Sequence, residues 1–358
     1  MKWFFIILFN FLIVNLSAQW PQYRGINISI LDVNEENVRD FALTGGNLFR
    51  ISMPLKPVMV PIEPEFNGKR YIDSSAFEML DHALNLCEKY DIKVVIDPHT
   101  FPGQHILWTM LGYDKIWIDK RYHNYIIEVW ENIAKKYASR GNVIAGYDLL
   151  NEPDYNINFT PRGADDLNFL YRKIITAIRK YDTIHTVIVA APHIWDKENE
   201  VTIGYTSCIK YIVPIIYDDN VVYEVHFYDP KEFTEEALSK SKAGPYPGYI
   251  TGVYWNKKTI TQYFKNTIEF KKTHNADIFL GEFSCPRWLG PYGGNIWIED
   301  VIKLCEKHNI SWAYHAWREA SCWDAEKSNI NKDEDIRLEN TERMAILKKY
   351  YKKNKRKK

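Results

Sequence analysis

The chain has 358 residues, with 46 basic and 46 acidic side chains and a formal net charge of zero. Eight of the basic residues lie in the tail from Lys348 to Lys358 and one is Lys2, so the body carries 37 basic against 46 acidic groups, a net of −9. An acidic body excludes the basic folded surface of a nucleic-acid binder, and the tail reads as the solvated end of a last helix.

The first residues form a targeting signal. Lys2 precedes the apolar runs Trp3–Phe9 and Phe11–Val14, and the small pair Ser17–Ala18 follows. A charged start, a short apolar core and small residues at the cut make a signal peptide over 1–18, too short to span a bilayer comfortably. Leu16 is larger than the ideal at the third position upstream. No second run of spanning length follows, so the mature chain is expected to be secreted or periplasmic, monomeric and without stable membrane insertion.

From residue 19 to 347 strands and helices alternate. Apolar β-rich runs predict strands at Tyr23–Ile28, Asn47–Ser52, Lys93–Asp97, Val143–Leu150, Thr186–Ala190, Val221–His226, Ile278–Glu282 and Ile310–Tyr314. Helical spacing predicts helices at Glu35–Leu43, Ser74–Tyr90, Tyr122–Tyr137, Asp166–Tyr181, Lys257–Thr273 and Trp297–His308. In the second of these, Phe77, Leu80, Ala83, Leu84 and Cys87 share a face, and Asp73 offers an N-cap. After strand five only a short piece near Ser207–Ile212 is helical. There is no linker-like tract before the C-terminus. Eight alternating units mean a parallel sheet closed on itself, so the expected fold is α/β, a single (β/α)8 TIM barrel, with 348–358 as a basic tail.

Cys87 and Cys305 lie on apolar helix faces and fill core. The five cysteines have no metal-like spacing. Cys285 and Cys322 would follow adjacent strands, and export permits a disulfide between them.

The chemistry lies at the strand ends. Strand two ends on Arg50, strand three on Asp97-Pro-His99, strand four on Asn151-Glu152-Pro153 and strand five on His193-Ile-Trp195. Strand six gives His226-Phe-Tyr228, strand seven Glu282, and strand eight His315-Ala-Trp317. Such residues converge at the C-terminal mouth of a parallel barrel. Each has a bland reading: Glu152 as a capping acid, His99 as a satisfied core histidine, Arg50 as an ion-pair partner, Trp317 as plain core. Together they make a polar, aromatic cleft. Two carboxylates from two strands are the minimum for cleaving a glycosidic bond, one protonating the leaving oxygen and the other attacking or activating water. Aromatic residues are 15% of the chain, as suits a cleft for sugar rings.

In this order the motifs resemble glycoside hydrolase family 5, the cellulase and mannanase family, across nearly the whole mature length. The resemblance rests on Arg50, Asp97-Pro-His99-Thr-Phe-Pro102-Gly103-Gln104, Asn151-Glu152-Pro153, His226-Phe-Tyr228-Asp229-Pro230 and Gly281-Glu282-Phe283. It implies a retaining β-glycoside hydrolase, most simply an endo-acting β-1,4-glucanase, with Glu152 as acid/base and Glu282 as nucleophile. Arg50, His99, Asn151, His226, Tyr228 and Trp317 would bind the sugar, with no cofactor and no metal; the floor beneath it would come from Trp312, His315 or Trp317, of which Trp317 is preferred. Ser284 departs from the Glu-Phe-Gly often found after strand seven. The acid/base must hold a proton near neutral pH, which the Glu282 charge beside Glu152 would favour. A mannanase or an exo-β-glucosidase fits the same frame. Readings of another class are a non-catalytic carbohydrate-binding barrel, which would have lost one glutamate, and a metal-dependent hydrolase using Asp97, His99, His226 and Glu282.

Overall fold

The computed structural model describes residues 20–54, 74–101, 104, 115–117, 119–155, 164–196, 201–234, 244–330 and 332–354. The leader over 1–18, the expected cap at Asp73 and the Pro102-Gly103 pair lie outside these residues.

Eight strands close into a parallel barrel: β1 (Arg24–Ser29), β2 (Leu48–Pro54), β3 (Lys93–Thr100), β4 (Ile144–Asp148), β5 (Thr186–Ala190), β6 (Val221–Phe227), β7 (Asp277–Phe283) and β8 (Ser311–Tyr314). Each pairs with its neighbour in sequence, and β8 returns to β1 with Ala313 opposite Gly25. The surrounding helices are α1 (Glu35–Thr44), α2 (Ser74–Lys89), α3 (Lys120–Tyr137), α4 (Ala164–Ile178), α5 (Lys257–Tyr263), α6 (Lys265–His274), α7 (Gly294–His308) and α8 (Glu342–Tyr351). Between β5 and β6 the described helical pieces are the single turns Tyr205–Cys208 and Ile209–Tyr211. Local chemistry sets the boundaries. The Asn34 side chain accepts from the Asn37 N–H to start α1, Gly45 at φ 95° ends it, and Val38, Phe41 and Ala42 are buried between.

Two elements differ from expectation. The helix predicted over Lys257–Thr273 is two helices that break at Phe264, whose buried ring packs 4.8 Å from Phe227. The division expected after residue 347 falls inside α8, because Leu347, Tyr350 and Tyr351 are buried. Tyr351 stacks on Trp312 at 5.5 Å and donates its hydroxyl to the Gly25 carbonyl. All five cysteines are free and buried. Cys285 meets the Arg343 guanidinium at 3.4 Å rather than Cys322. Among the described residues no helix is long and apolar enough to cross a membrane.

The barrel interior is layered. At the N-terminal end Leu48, Val95, Ala145, Ile188, Val222, Phe279 and Ala313 form an apolar plug, sealed by Trp20 and Tyr23. Inward positions alternate along a strand, so the next layer up is set by residues such as Arg50, Asp97 and Glu224. It is polar, and it is the floor of the mouth.

Candidate active site

Arg50 stands at the centre of that floor, fully buried, and gathers acids from across the barrel. Its Nη1 donates to Glu282 Oε1 at 2.7 Å and lies 3.0 Å from Asp97 Oδ2. Its Nη2 donates to Asp148 Oδ2 at 2.6 Å and to Asn151 Oδ1 at 2.8 Å, and its Nε is 3.3 Å from Glu224 Oε1. One guanidinium among four buried carboxylates is short of positive charge, so not every acid is ionised. Burial and the facing Glu224 push Asp148 well above the usual carboxylate range, although Arg50 pulls the other way.

Glu282 is aimed by an irregularity. The pairing of β7 with β6 shifts register between Leu280 and Glu282, which turns the carboxylate into the mouth. Gly281 beside it leaves room for Glu224, whose Oε1 would lie 1.7 Å from any Cβ there. The Tyr228 hydroxyl donates to Glu282 Oε2 at 2.9 Å, while His226 Nδ1 and His315 Nδ1 stand 3.8 and 3.9 Å from the same oxygen. Burial alone would raise this carboxyl. His226, His315, Arg50 and His99 outweigh it and hold Glu282 far below the usual range. Tyr228 keeps its proton, pushed up by burial and then by Glu282 and Glu152.

Glu152 follows β4 in the left-handed region at φ 43°, a conformation that costs a non-glycine residue about 1–2 kcal/mol. Its Oε1 lies 2.9 Å from His226 Nδ1. One oxygen each of Glu152 and Glu282 and a ring nitrogen of His226 fall within 4.8 Å of one another. The proton sits elsewhere than expected. Burial raises Glu152, but the hydrogen bond from His226 outweighs it and lowers the carboxyl. His226 takes the proton: burial opposes its charge, and Glu282, Glu152 and Glu224 together raise it well above an ordinary imidazole. The electrostatic balance thus favours the proton on the His226 side of the Glu152–His226 pair.

On the opposite wall His99 Nδ1 meets Asp97 Oδ2 at 2.6 Å and its Nε2 faces Asn151 Nδ2 at 3.3 Å. Because Asn151 Oδ1 accepts from Arg50, its amide N–H points at His99, which answers with a lone pair on Nε2. Burial penalises a charge on His99 and Asp97 more than offsets that, so a second proton arrives more readily than on a free imidazole. Gln104 Nε2 donates to the Asn151 carbonyl and fixes the turn that carries Glu152.

Arg50, His99, Asn151, Glu152, His226, Tyr228 and Glu282 therefore meet at one mouth. Trp317 does not. It is fully buried, its ring edge-on to Phe41 at 5.6 Å and its Nε1 donating to the Asn37 carbonyl, so it packs on α1 and offers no face to a ligand. Just beyond β8, His315 and, 4.9 Å from it, the half-buried Trp323 stand at the mouth instead. Asp148 and Glu224 were not singled out by sequence reasoning, His315 was named there but passed over for Trp317, and Tyr205, whose ring lies 5.5 Å from His226, was also missed. The cation-sized spacing of Glu152, His226 and Glu282 is filled by their own hydrogen bonds. Both Glu282 oxygens already accept, from Arg50 and Tyr228, and Glu152 is bonded to His226.

A model of the cellulase family, glycosyl hydrolase family 5, matches residues 14–321. Endoglucanase C of Acetivibrio thermocellus is 24% identical over 332 residues, spanning 84% of this chain and 89% of that protein. Cellodextrinase A of Ruminococcus flavefaciens is 22% identical over 311 residues, spanning 80% and 83%. Among solved structures, endoglucanase Cel5A of Thermotoga maritima aligns over 91% of this chain and 96% of its own, with a TM-score of 0.67 and 21% identity. A structure described as a glycoside hydrolase aligns over 92% and 99%, with a TM-score of 0.72 and 21% identity. These structural likenesses show a shared fold.

Proposed function

The chain belongs to the cellulase family, glycosyl hydrolase family 5, and is a glycoside hydrolase; we propose that it cleaves β-1,4-linked glucan internally by double displacement, with Glu282 as nucleophile and Glu152 as acid/base. One observation carries the reading: the carboxylate that follows β4 and the one on β7 bring oxygens within 4.8 Å of each other, Glu282 held by Arg50 and Tyr228 and Glu152 bonded to His226. That spacing suits a retaining enzyme, whose carboxyl groups lie about 5–5.5 Å apart, rather than the roughly 6.5–9.5 Å that admits an inverting water.

Glu282, ionised and held by Arg50 and Tyr228, attacks the anomeric carbon. The proton shared by Glu152 and His226 goes to the leaving oxygen. Once the glycosyl-enzyme forms, the Glu282 charge is gone and the hold on the His226 proton weakens. Glu152 then takes a proton from water as the second displacement proceeds. Asn151, fixed between Arg50 and His99, is placed to bond the sugar 2-hydroxyl, and Trp323 with His315 to bound the ring. The substrate assignment draws on the relatives named as endoglucanases. We further infer that residues 1–18 direct export and that the chain acts outside the cytoplasm.

The test is a panel of defined polysaccharides read by viscosity and by reducing ends. On a soluble β-1,4-glucan, viscosity should fall well ahead of reducing-end release. Release of single sugars without loss of viscosity, or preference for mannan, would overturn the substrate reading.

A further inference from the structure

Three side chains form a line beneath the mouth that the double displacement does not itself require. His226 Nδ1 faces Glu152 at 2.9 Å, and its other nitrogen, Nε2, faces Glu224 Oε1 at 3.4 Å. Glu224 is buried completely, two residues before His226 on β6, so both point inward on one strand. Placing a carboxylate there is costly, and Gly281 leaves the room it needs, since a Cβ there would sit 1.7 Å from Glu224 Oε1 and force that side chain to move.

We propose that Glu224 is a positioning residue of the hydrolytic reaction, which from below the mouth holds the His226 imidazolium against Glu152 and so keeps the acid proton in place. The proposal rests on the reading of Glu152 as acid/base. The proton moves along one line, from His226 Nδ1 to Glu152 Oε1 and on to the leaving oxygen, and His226 regains a proton through Glu152 when water is deprotonated. The neighbours allow Glu224 this part. His226 is faced by Glu152 from the end of β4, by Glu282 from β7, by the Tyr205 ring from beyond β5 and by Glu224 from its own strand. Glu224 is faced by Arg50 from β2 and Asp148 from β4. His193, in the segment after β5, adds its field at Glu152. Burial and the facing Glu224 push Asp148 well above the usual carboxylate range, so Arg50 is not matched against four full charges.

The experiment is the pH profile of kcat/KM for Glu224→Gln, which replaces the carboxyl with an amide of the same shape. The high-pH limb, where the acid proton is lost, should move down by about one pH unit or more, with the low-pH limb of Glu282 in place. If Glu224 only balances Arg50, a folded Glu224→Gln will show lower thermal stability and an unmoved high-pH limb, and the proposal is wrong. Glu152→Gln, measured alongside, separates the two readings. Near-wild-type turnover there refutes the acid/base assignment itself, whereas its loss together with an unmoved Glu224→Gln limb refutes only the part given to Glu224. Should Glu224→Gln fail to fold, histidine 15N NMR of the wild type decides, with His226 assigned by its missing signal in His226→Asn. An imidazolium persisting above neutral pH supports the proposal, and a neutral ring at pH 6.5 overturns it.

Discussion

The Tyr228 hydroxyl donates to Glu282 Oε2 at 2.9 Å, completing with Arg50 on Oε1 a pair of donors that keeps the carboxylate charged inside the barrel. Tyr228→Phe removes one of them. A hydrogen bond to a charged group contributes about 1.5–3 kcal/mol, so kcat/KM should fall roughly 10- to 100-fold. Because Glu282 is held below its ordinary range, losing a donor raises it, and the low-pH limb of the profile should shift to higher pH. A variant with an unmoved low-pH limb would show that Tyr228 does not act on Glu282.

Arg50 supplies the charge that lets Asp97, Asp148, Glu224 and Glu282 share one interior. Breaking such a buried set by removing one partner costs about 3–5 kcal/mol. Arg50→Met should therefore lower stability to urea by about that amount at pH 7. The stranded carboxyls would have folded-state values raised above their unfolded ones, so they favour folding once protonated. The deficit should then shrink as pH falls toward 5. A deficit independent of pH would mean that packing, not charge, is what Arg50 provides.

The two tryptophans beyond β8 should separate cleanly. Trp317, sealed against Phe41, should cost about 3–5 kcal/mol of stability on truncation to Ala, with KM unchanged in the protein that remains folded. Trp323, half-buried beside His315, should cost less stability and raise KM on truncation. The reverse pattern would return the sugar floor to Trp317.

The eight strands and the mouth residues were legible because buried parallel strands read as apolar runs and polar residues stand out at their ends. Less legible was what lies within a strand. In Val221–Phe227 the acid at Glu224 looks like an interruption, yet Val222, Glu224 and His226 alternate in phase, which places all three inward; that phase was the available signal. At β8 phase was not enough. Ala313, His315 and Trp317 share a parity, but the chain leaves the strand after Tyr314, so alternation no longer sets direction and Trp317 packs on α1. The break at Phe264 has no Pro or Gly to announce it, since tertiary packing on Phe227 sets it.

Glu152→Ala should lose about 10²–10⁴-fold on polysaccharide, where the leaving oxygen needs a proton, and far less on a dinitrophenyl glycoside, where it does not. Azide should restore turnover on the activated substrate by entering the space Glu152 vacates. Equal losses on both substrates, without rescue, would mean that Glu152 binds rather than donates.

The central claim is that Glu282 forms a bond to the sugar, and the direct measurement is peptide mass spectrometry of the protein inactivated with an activated 2-deoxy-2-fluoro-glucoside or cellobioside. Fluorine at C2 slows both displacements, and the good leaving group lets the first go ahead, so the glycosyl-enzyme accumulates. One sugar adduct per chain, on the peptide carrying Gly281-Glu282-Phe283 and absent in Glu282→Gln, is the predicted result. An adduct on Glu152, or turnover of the reagent with no adduct and inversion at the anomeric carbon, would contradict it.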